Sequence, residues 1–594
     1  MNPEFHKYTV LLVIVFIFFS LFKEIVRPAI SFLIGALVLL VLGVISPEDF
    51  LTGFANKSIA TIILLILISS AFRKNFDVKR YFDQTFKNAK SPRKFLALLM
   101  ASVASLSSII NNTPVVAMMT PYVYDWGKKH NVAPSKLLIP LSYATILGGM
   151  ITVIGTSTNL VVNGFISENG QQILTYTDFL YLGLIVTFSG LVFLVVAGYR
   201  MLPNNQDTLD AFQEHPKEYI VETILQKSSP LVGKTVAEAK LRNLKGVYLV
   251  DILRNGETIS PVSPDEKLLG RDVLIFAGDT YKIVDLFKKD NGIVLPKHGR
   301  ILDQKQLNVV ETVIPYNSYL SGKLVKESDF RQRYQAAIIA IHRNGERVKG
   351  KIGDMHLATG DLLLLTTSDE FFKINERTHD FFIVSRKDQT IEPESSAKIW
   401  GLRVGLLLPL LLCLFGVIEF FVALMLILLV LFVLRYINIK EIKYELDLNL
   451  IVILVCALTL GNALINSGAA ELISHLMMEF LKPYGGIGIL IGLFLLTVLL
   501  TSFVTNVAAV SIAFPIAYSL CAELGLHPTP YYVGIAFAAS AAFMTPISYQ
   551  TNLMVFGPGG YTFKDYFRIG LPLTILYSIV CISFIVLRYN ISFE

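Results

Sequence analysis

Charge is scarce in this chain. Of its 594 residues only 16% are Asp, Glu, Lys or Arg while 53% are apolar, a balance that excludes a wholly soluble enzyme. Cysteine is scarcer still: Cys413, Cys456, Cys521 and Cys581 all fall inside apolar segments with no paired spacing. That excludes a disulfide framework and a zinc site, and the four are expected to pack as small apolar groups. The middles of the apolar runs hold no Asp, Glu, His, Lys or Arg; Glu24, Glu419 and Asp447 stand at edges and His475 on an amphipathic stretch. A proton-coupled carrier ordinarily needs an intramembrane carboxylate or histidine, so this absence points to an alkali cation as the coupling ion. A TVGYG-type potassium filter, an HExxH-type metal site and an intramembrane Ser/His pair or paired acids are missing too, which disfavours a channel and, more strongly, a membrane enzyme. His298, His342, His356 and His379 are scattered and read as solvated surface.

What the chain does have is apolar runs of about 15 to 25 residues, each able to cross or nearly cross a hydrocarbon core of about 30 Å. They form two blocks, 8–200 and 400–588. Between them, 204–397 is richer in charge and its apolar residues come in short, strand-like runs, which predicts an inserted soluble region. The net charge of +6 reflects basic residues in the short loops that flank apolar runs, a signature of membrane orientation rather than of nucleic-acid binding. Residues 8–22 have the length of a signal peptide, but Ser20-Leu21-Phe22-Lys23 offers no cleavage site, so a membrane helix is expected there.

In the first block, apolar runs fall near 8–22, 28–46, 58–72, 95–123, 136–166 and 176–199. Lysines and arginines crowd 73–94, and Lys128, Lys129 and Lys136 follow the next apolar stretch; both places belong on the cytoplasmic side. The stretch between them must then enter and return, a re-entrant hairpin with Asn111-Asn112-Thr113 at its tip. The second block offers spans near 402–418, 420–436 and 447–465, an amphipathic piece at 469–482, a long stretch interrupted at 505–506, a broken span and a last span at 567–588. Five crossings per block is an odd number, so the second block is inverted relative to the first. The expected fold is thus an α-helical polytopic membrane protein with inverted repeats and two re-entrant hairpins. Its parts are 1–203, a first membrane repeat; 204–294 and 295–397, two small cytoplasmic α/β domains; and 398–594, a second membrane repeat.

Internal similarity supports the repeat. NNTPVVAMMTP matches TNVAAVSIAFP, with Asn112 to Pro121 spaced as Asn506 to Pro515, and STNLVVNG (157–164) matches QTNLMVFG (550–557) in the same order. In hydrocarbon an unpaired amide or carbonyl costs several kcal/mol, so polar breaks of this kind announce a cavity. Carbonyls freed at half-helix C-terminal ends, with Asn, Ser and Thr oxygens, suit an alkali cation, and the following helix N-termini suit an anion.

These motifs resemble the divalent anion:sodium symporter family, in which each hairpin carries a Ser-Asn-Thr tip and each broken helix a Gly-Thr-Pro-Pro-Asn-like loop. The likeness spans both membrane blocks. It implies a first sodium held by Ser107, Asn111, Asn112 and Gly155, with the loop Gly155-Thr156-Ser157-Thr158-Asn159, and a second held by Thr501, Thr505, Asn506 and Ser548, with the loop Ser548-Tyr549-Gln550-Thr551-Asn552. It implies a divalent anion held by Asn112, Thr113, Thr158, Asn159, Asn506, Val507, Thr551 and Asn552. Asn111 and Thr505 replace the tip serines, Val507 replaces the second tip threonine, and both loops lack the double proline. GTSTNLVVNG and YQTNLMVFGPGGY look more like the sulfate-permease branch with inserted domains, so sulfate is expected, with a dicarboxylate carrier or a ligand-gated channel as the alternatives.

Within the insert, 222–257 and 311–346 align without gaps at a period of 89, each with a Gly-Lys, a helical stretch, an apolar strand and an Asn-Gly hairpin turn, followed by an apolar strand beginning at Asp272 or Asp361. The two copies resemble the TrkA-C type domain, the C-terminal half of regulators of potassium conductance. No Gly-x-Gly-x-x-Gly follows a strand in the insert. The resemblance implies a homodimer, with either a purely structural role for the insert or a site for a small anionic regulator such as a cyclic dinucleotide.

Overall fold

The computed structural model describes residues 3–23, 25–26, 28–75, 82, 85–86, 89, 91–205, 220–241, 247–255, 257–278, 291–294, 309–315, 318–343, 346–348, 350, 352–368, 370–378, 380–383, 396–437, 442, 446 and 448–591. Glu24, Asp447, His298, His379, most of the basic stretch between residues 75 and 91, Gly256 of the first hairpin turn and both residues of the second lie outside the described residues.

The first block folds as α1 (Pro3–Phe22), α2 (Pro28–Val41), α3 (Pro47–Ala55), α4 (Lys57–Asn75), α5 (Pro92–Ser107), α6 (Asn112–Lys129), α7 (Leu138–Gly149), α8 (Ser157–Glu168) and α9 (Tyr176–Phe193), the last continuing through a π-helical turn to Met201. The second folds as α12 (Ser396–Leu414), α13 (Phe420–Val433), α14 (Leu448–Asn466), α15 (Ala469–Leu481), α16 (Gly485–Phe503), α17 (Asn506–Leu524), α18 (Thr529–Ala539), α19 (Gln550–Phe556) and α20 (Phe563–Tyr589). Among the described residues six helices are long and apolar enough to cross a membrane, or seven if the bent pair α3–α4 is one span. Large apolar side chains such as Leu12, Phe188 and Leu587 are exposed on them, as surfaces solvated by lipid require. The chain is a multi-pass membrane protein.

Local sequence sets the helix ends. Gly43, at a φ of +68°, stops α2, and Ser46 with Asp49 forms a capping box that starts α3 behind Pro47. The apolar run 28–46 is therefore a 14-residue helix followed by a new one, and 420–436 shortens likewise to 14 residues. The closing helices of the two blocks begin alike. Thr175 and Asp178 make a capping box at α9, and Thr562 and Asp565 make the same box at α20. Five residues past each aspartate a glycine sits against the preceding break. A Cβ on Gly183 would lie 2.6 Å from Ile151 Cα, and one on Gly570 would lie 2.1 Å from the Phe543 carbonyl.

The blocks pack as one body. α14 lies on α2, α3 and α17, and α9 on α20. Phe165 of α8 stacks on Phe514 of α17 with ring centroids 5.1 Å apart, and its ring occupies the space a side chain on Gly461 would need. α17 is one of the six helices long and apolar enough to cross a membrane, and 72% of its most apolar 18-residue stretch is buried inside the protein.

The insert forms two five-stranded antiparallel sheets. The first has strand order β3-β2-β4-β1-β5, from β1 (Ile220–Leu225), β2 (Val247–Arg254), β3 (Glu257–Ile259), β4 (Val273–Gly278) and β5 (Ile293–Val294). The second has order β10-β6-β9-β7-β8, from β6 (Val309–Val313), β7 (Ala336–Arg343), β8 (Glu346–Arg347), β9 (Leu362–Thr367) and β10 (Phe382–Ile383), with short helices α10 (Phe330–Tyr334) and α11 (Glu370–Thr378). Both sheets repeat one bracket: Arg254 pairs with Asp272 and donates to the Lys267 carbonyl, and Arg343 pairs with Asp361 and donates to the His356 carbonyl. The helical stretch is less regular in the first copy. Residues 236–241 there are turns, and Lys240 is left-handed at φ +56°, as is Asp329, 89 residues later, which precedes α10. The sheets meet over Val250, Ile275, Ala337, Ile339 and Leu364.

The second sheet also rests on the membrane helices. Tyr124 of α6 donates to Glu311 Oε2 at 2.7 Å and is buried with Val313 and Leu362. Beside it, a Cβ on Gly557, which follows α19, would lie 3.1 Å from the Gly360 carbonyl. The seam therefore joins two helices that belong to different blocks.

Candidate functional site

Two interruptions in each block bring the polar motifs together. In the first block α5 ends at Ser107 and α6 restarts at Asn112; Ser107 Oγ donates to Asn112 Oδ1, and both side chains are buried. Gly155 backs onto this pair, since a Cβ there would lie 2.8 Å from the Ser107 carbonyl, and one on Gly149 would lie 2.6 Å from Asn112 Oδ1. Glycine is required at both places by close approach. Thr152 ties the second interruption to the first by donating to the Ser108 carbonyl, and Asn159 Nδ2 donates to the Thr152 carbonyl at 3.0 Å.

The second block makes the same bonds about 394 residues later. Thr501 Oγ1 donates to Asn506 Oδ1 at 2.9 Å, Thr545 Oγ1 to the Ser502 carbonyl at 2.8 Å, and Asn552 Nδ2 to the Thr545 carbonyl at 3.4 Å. Thr501 also reaches the Ala539 carbonyl at 2.6 Å, and Asn552 the Ala542 carbonyl at 2.7 Å. Ser548 turns its hydroxyl to the Ala542 and Thr545 carbonyls at 3.2 and 2.7 Å rather than to Asn506. Thr505 caps α17 by accepting from Ala508 N at 3.3 Å, whereas Asn111 makes no side-chain cap on α6. Val507 is buried and offers no polar atom.

The blocks complete each other. Asn112 Nδ2 donates to Tyr549 Oη at 3.0 Å and Thr113 Oγ1 to Gln550 Oε1 at 3.3 Å. Ser142 of α7 donates to Thr551 Oγ1 at 2.9 Å and to Asn552 Oδ1 at 2.7 Å. Thr158, Asn159, Thr551 and Asn552 are at most 1% exposed. Reciprocally, α17 packs on α8. Every side chain named here is neutral. The cluster supplies carboxamides, hydroxyls and carbonyls, a chemistry that can hold a dehydrated cation and an oxyanion side by side but cannot balance net anionic charge by itself.

Three groups near these elements were missed by reading the sequence. Tyr549 and Gln550 were visible only as members of a loop. Glu168, the last residue of α8, accepts from Asn56 Nδ2 at 2.8 Å and from Asn462 Nδ2 at 2.7 Å, so it ties α8 to the α3–α4 bend and to α14. It lies just past the apolar run 136–166, and nothing in the sequence marks its partners. The capping boxes at Thr175 and Thr562 had a legible signal, a Thr three residues ahead of an Asp at the head of each closing helix.

Comparison with known proteins agrees with this architecture. The chain is 30% identical over 574 residues to an uncharacterized transporter of Synechocystis sp., covering 94% of this chain and 93% of that one. It is 27% identical over 568 residues to the uncharacterized transporter YfbS of Escherichia coli, covering 91% and 92%. Sodium/sulfate cotransporter 1 of Chlamydomonas reinhardtii is 28% identical over 341 residues, which are 53% of this chain and 38% of that protein. The pattern of the CitMHS family, described as citrate transporter, matches residues 13–341 and 410–592. With more than half its length matched to that pattern, the chain belongs to the citrate transporter family, a family of transporters and not of enzymes.

Proposed function

We propose that this protein is a sodium-coupled symporter that carries a divalent anion, sulfate, by alternating access. The observation that carries the reading is the recurrence, about 394 residues apart, of one buried hydrogen-bonded frame made only of neutral oxygen and nitrogen groups. A dianion entering such a pocket needs compensating charge. With no Lys or Arg among the site residues, a bound cation must bring it, and the Ser107–Asn112–Gly155 and Thr501–Asn506 corners are the places where oxygens converge. On this reading Ser107, Asn111, Asn112 and Gly155 hold one sodium and Thr501, Thr505, Asn506 and Ser548 the other. Asn112, Thr113, Thr158, Asn159, Asn506, Val507, Thr551 and Asn552 surround the anion. The two α5–α6 and α16–α17 interruptions are the tips of re-entrant hairpins in blocks of opposite orientation. Relatives named as sodium/sulfate cotransporters support sodium and sulfate.

A second reading, sodium-coupled uptake of a di- or tricarboxylate, is favoured by the family's description. Uptake into proteoliposomes under an imposed sodium or proton gradient, with labelled sulfate, succinate, citrate and phosphate, decides between them. Sodium-driven sulfate uptake that excess succinate leaves unchanged is the expected result; succinate or citrate uptake without sulfate uptake removes the sulfate reading.

The insert is proposed to be a pair of TrkA-C-like domains on the cytoplasmic side, in a homodimer, able to take a small anionic regulator such as a cyclic dinucleotide. The shared Arg–Asp bracket at a period of 89 supports two copies of one domain. Titration of the whole protein with cyclic dinucleotides, read by melting temperature, tests the ligand.

A further inference from the structure

The two loops that precede the Thr-Asn pairs differ in bulk. Thr156 and Ser157 stand before Thr158-Asn159, whereas Tyr549 and Gln550 stand before Thr551-Asn552. The larger pair reaches across the site. Tyr549 Oη accepts from Asn112 and also meets the Thr156 side chain, while Gln550 Oε1 accepts from Thr113. Asn112 and Thr113 are the donors that the proposed function assigns to the anion, so one end of the anion space is capped by protein groups from the opposite block.

We infer that Tyr549 and Gln550 are specificity-determining residues, which shorten the anion space over Asn112 and Thr113 and confine it to a compact oxyanion. This rests on the symporter reading given above and adds to it the residues that set substrate size. A tetrahedral dianion presents all its oxygens around one centre, so its donors can converge from one place. A dicarboxylate separates its charges along a carbon chain and needs a second set of donors beyond that centre. On this inference the Tyr549 side chain, anchored by its hydroxyl to Asn112, occupies that position. A site whose buried donors are left unpaired rejects a substrate more strongly than one that merely loses contact area; a long anion here would have to break both the Asn112–Tyr549 and Thr113–Gln550 bonds without reproducing them.

The test is the double variant Tyr549→Thr with Gln550→Ser, which copies the first block's loop, in the full chain reconstituted into liposomes with an inward sodium gradient. The kcat/KM for succinate divided by that for sulfate is expected to rise at least tenfold, a shift that general loosening of the protein would not produce. A ratio within twofold of the unmodified protein, with sodium-driven sulfate uptake retained, overturns the inference alone. An unmodified protein that carries no sulfate overturns the symporter reading and this inference with it, and the unmodified control reports that by itself. Tyr549→Phe separates bulk from hydroxyl: succinate stays excluded while the sulfate KM rises, and entry of succinate into this variant counts against the role of the ring. Should the double variant fail to assemble, Gln550→Ser at the half-buried rim is expected to raise the ratio about threefold, and no change there overturns the inference.

Discussion

In the first membrane block the loop before α8 is small and the tip residue after the buried asparagine is Thr113; in the second the loop before α19 is bulky and the equivalent tip residue is Val507. Around those positions the blocks share three bonds, from Ser107–Asn112 and Thr501–Asn506 through Thr152–Ser108 and Thr545–Ser502 to the Asn159 and Asn552 carboxamides that fold back on Thr152 and Thr545. What is shared makes the frame, and of what differs Tyr549 and Gln550 reach across to the other block. On the proposed reading, the cation corners stay alike while the anion end is asymmetric, because the frame bonds are local to each block and the Asn112–Tyr549 and Thr113–Gln550 bonds cross between them.

The strongest challenge to that comparison is to remove the shared part. Asn112→Ala and Asn506→Ala are each expected to reduce sodium-driven uptake to background while leaving the detergent-solubilised protein monodisperse, since on the proposed reading each removes an ion ligand. Substantial uptake in one variant alone would mean that the blocks are not equivalent at their cation corners. The insert gives a second pair of unequal copies. Asp251 is buried between the sheets, accepts from Thr366 Oγ1 at 3.1 Å, and has alanine at the matching place, Ala340. Burial raises its carboxyl pKa to about 6, against the opposing effect of hydrogen bonds from Ser260 and Thr366 and of the Arg331 charge. A raised acid binds its proton more tightly when folded, so its contribution is fully present below the ordinary carboxylate range and is lost as pH climbs through about 6. The loss is about 3 kcal/mol. The protection factors of the β2 amides in the whole protein, from which the intrinsic rise of exchange with pH is divided out, should therefore fall between pH 4 and pH 7, and Asp251→Asn should flatten that profile; identical profiles would remove the effect.

At the seam, Tyr124→Phe deletes the donor to Glu311 and should cost about 1–3 kcal/mol, read as a lower melting temperature of the whole protein. An unchanged melting temperature would show that the second sheet does not load α6. The smallest effect is expected from Val507→Thr, which makes the two tips alike. It adds one hydroxyl and should raise the succinate-to-sulfate ratio by severalfold, about 1 kcal/mol. An unmoved ratio would put the selectivity in the loop before α19 and not at the tip.

Much of the frame could be read from the sequence because it is local. Asn112 and Pro121, Thr158 and Asn159, and their partners in the second block keep fixed spacings, and the four asparagines each bond a residue close by in the chain. The two sheets of the insert, with matching strand orders, follow the period of 89 for the same reason. The contacts that complete the site were not legible, since Asn112 and Tyr549 are 437 residues apart and nothing in either segment names the other. Helix ends were read less well: Gly43 at positive φ and the Ser46 capping box split the run 28–46, and a hydropathy pattern alone does not register a cap. Glu168 was passed over because two carboxamides from other elements, Asn56 and Asn462, make its position favourable, and they too are remote in sequence.

The contact between the Gly360 carbonyl and Gly557 bears on assembly. During synthesis the first block and both sheets emerge long before α19, so Tyr124 can meet Glu311 while the rest of the seam still waits for its partner. Only when the end of the chain arrives can Gly557 close against Gly360, with no side chain in the way. A side chain at position 557 would begin 3.1 Å from the Gly360 carbonyl and from Leu362 Cβ, so the sheet and the helix would have to part slightly to admit it.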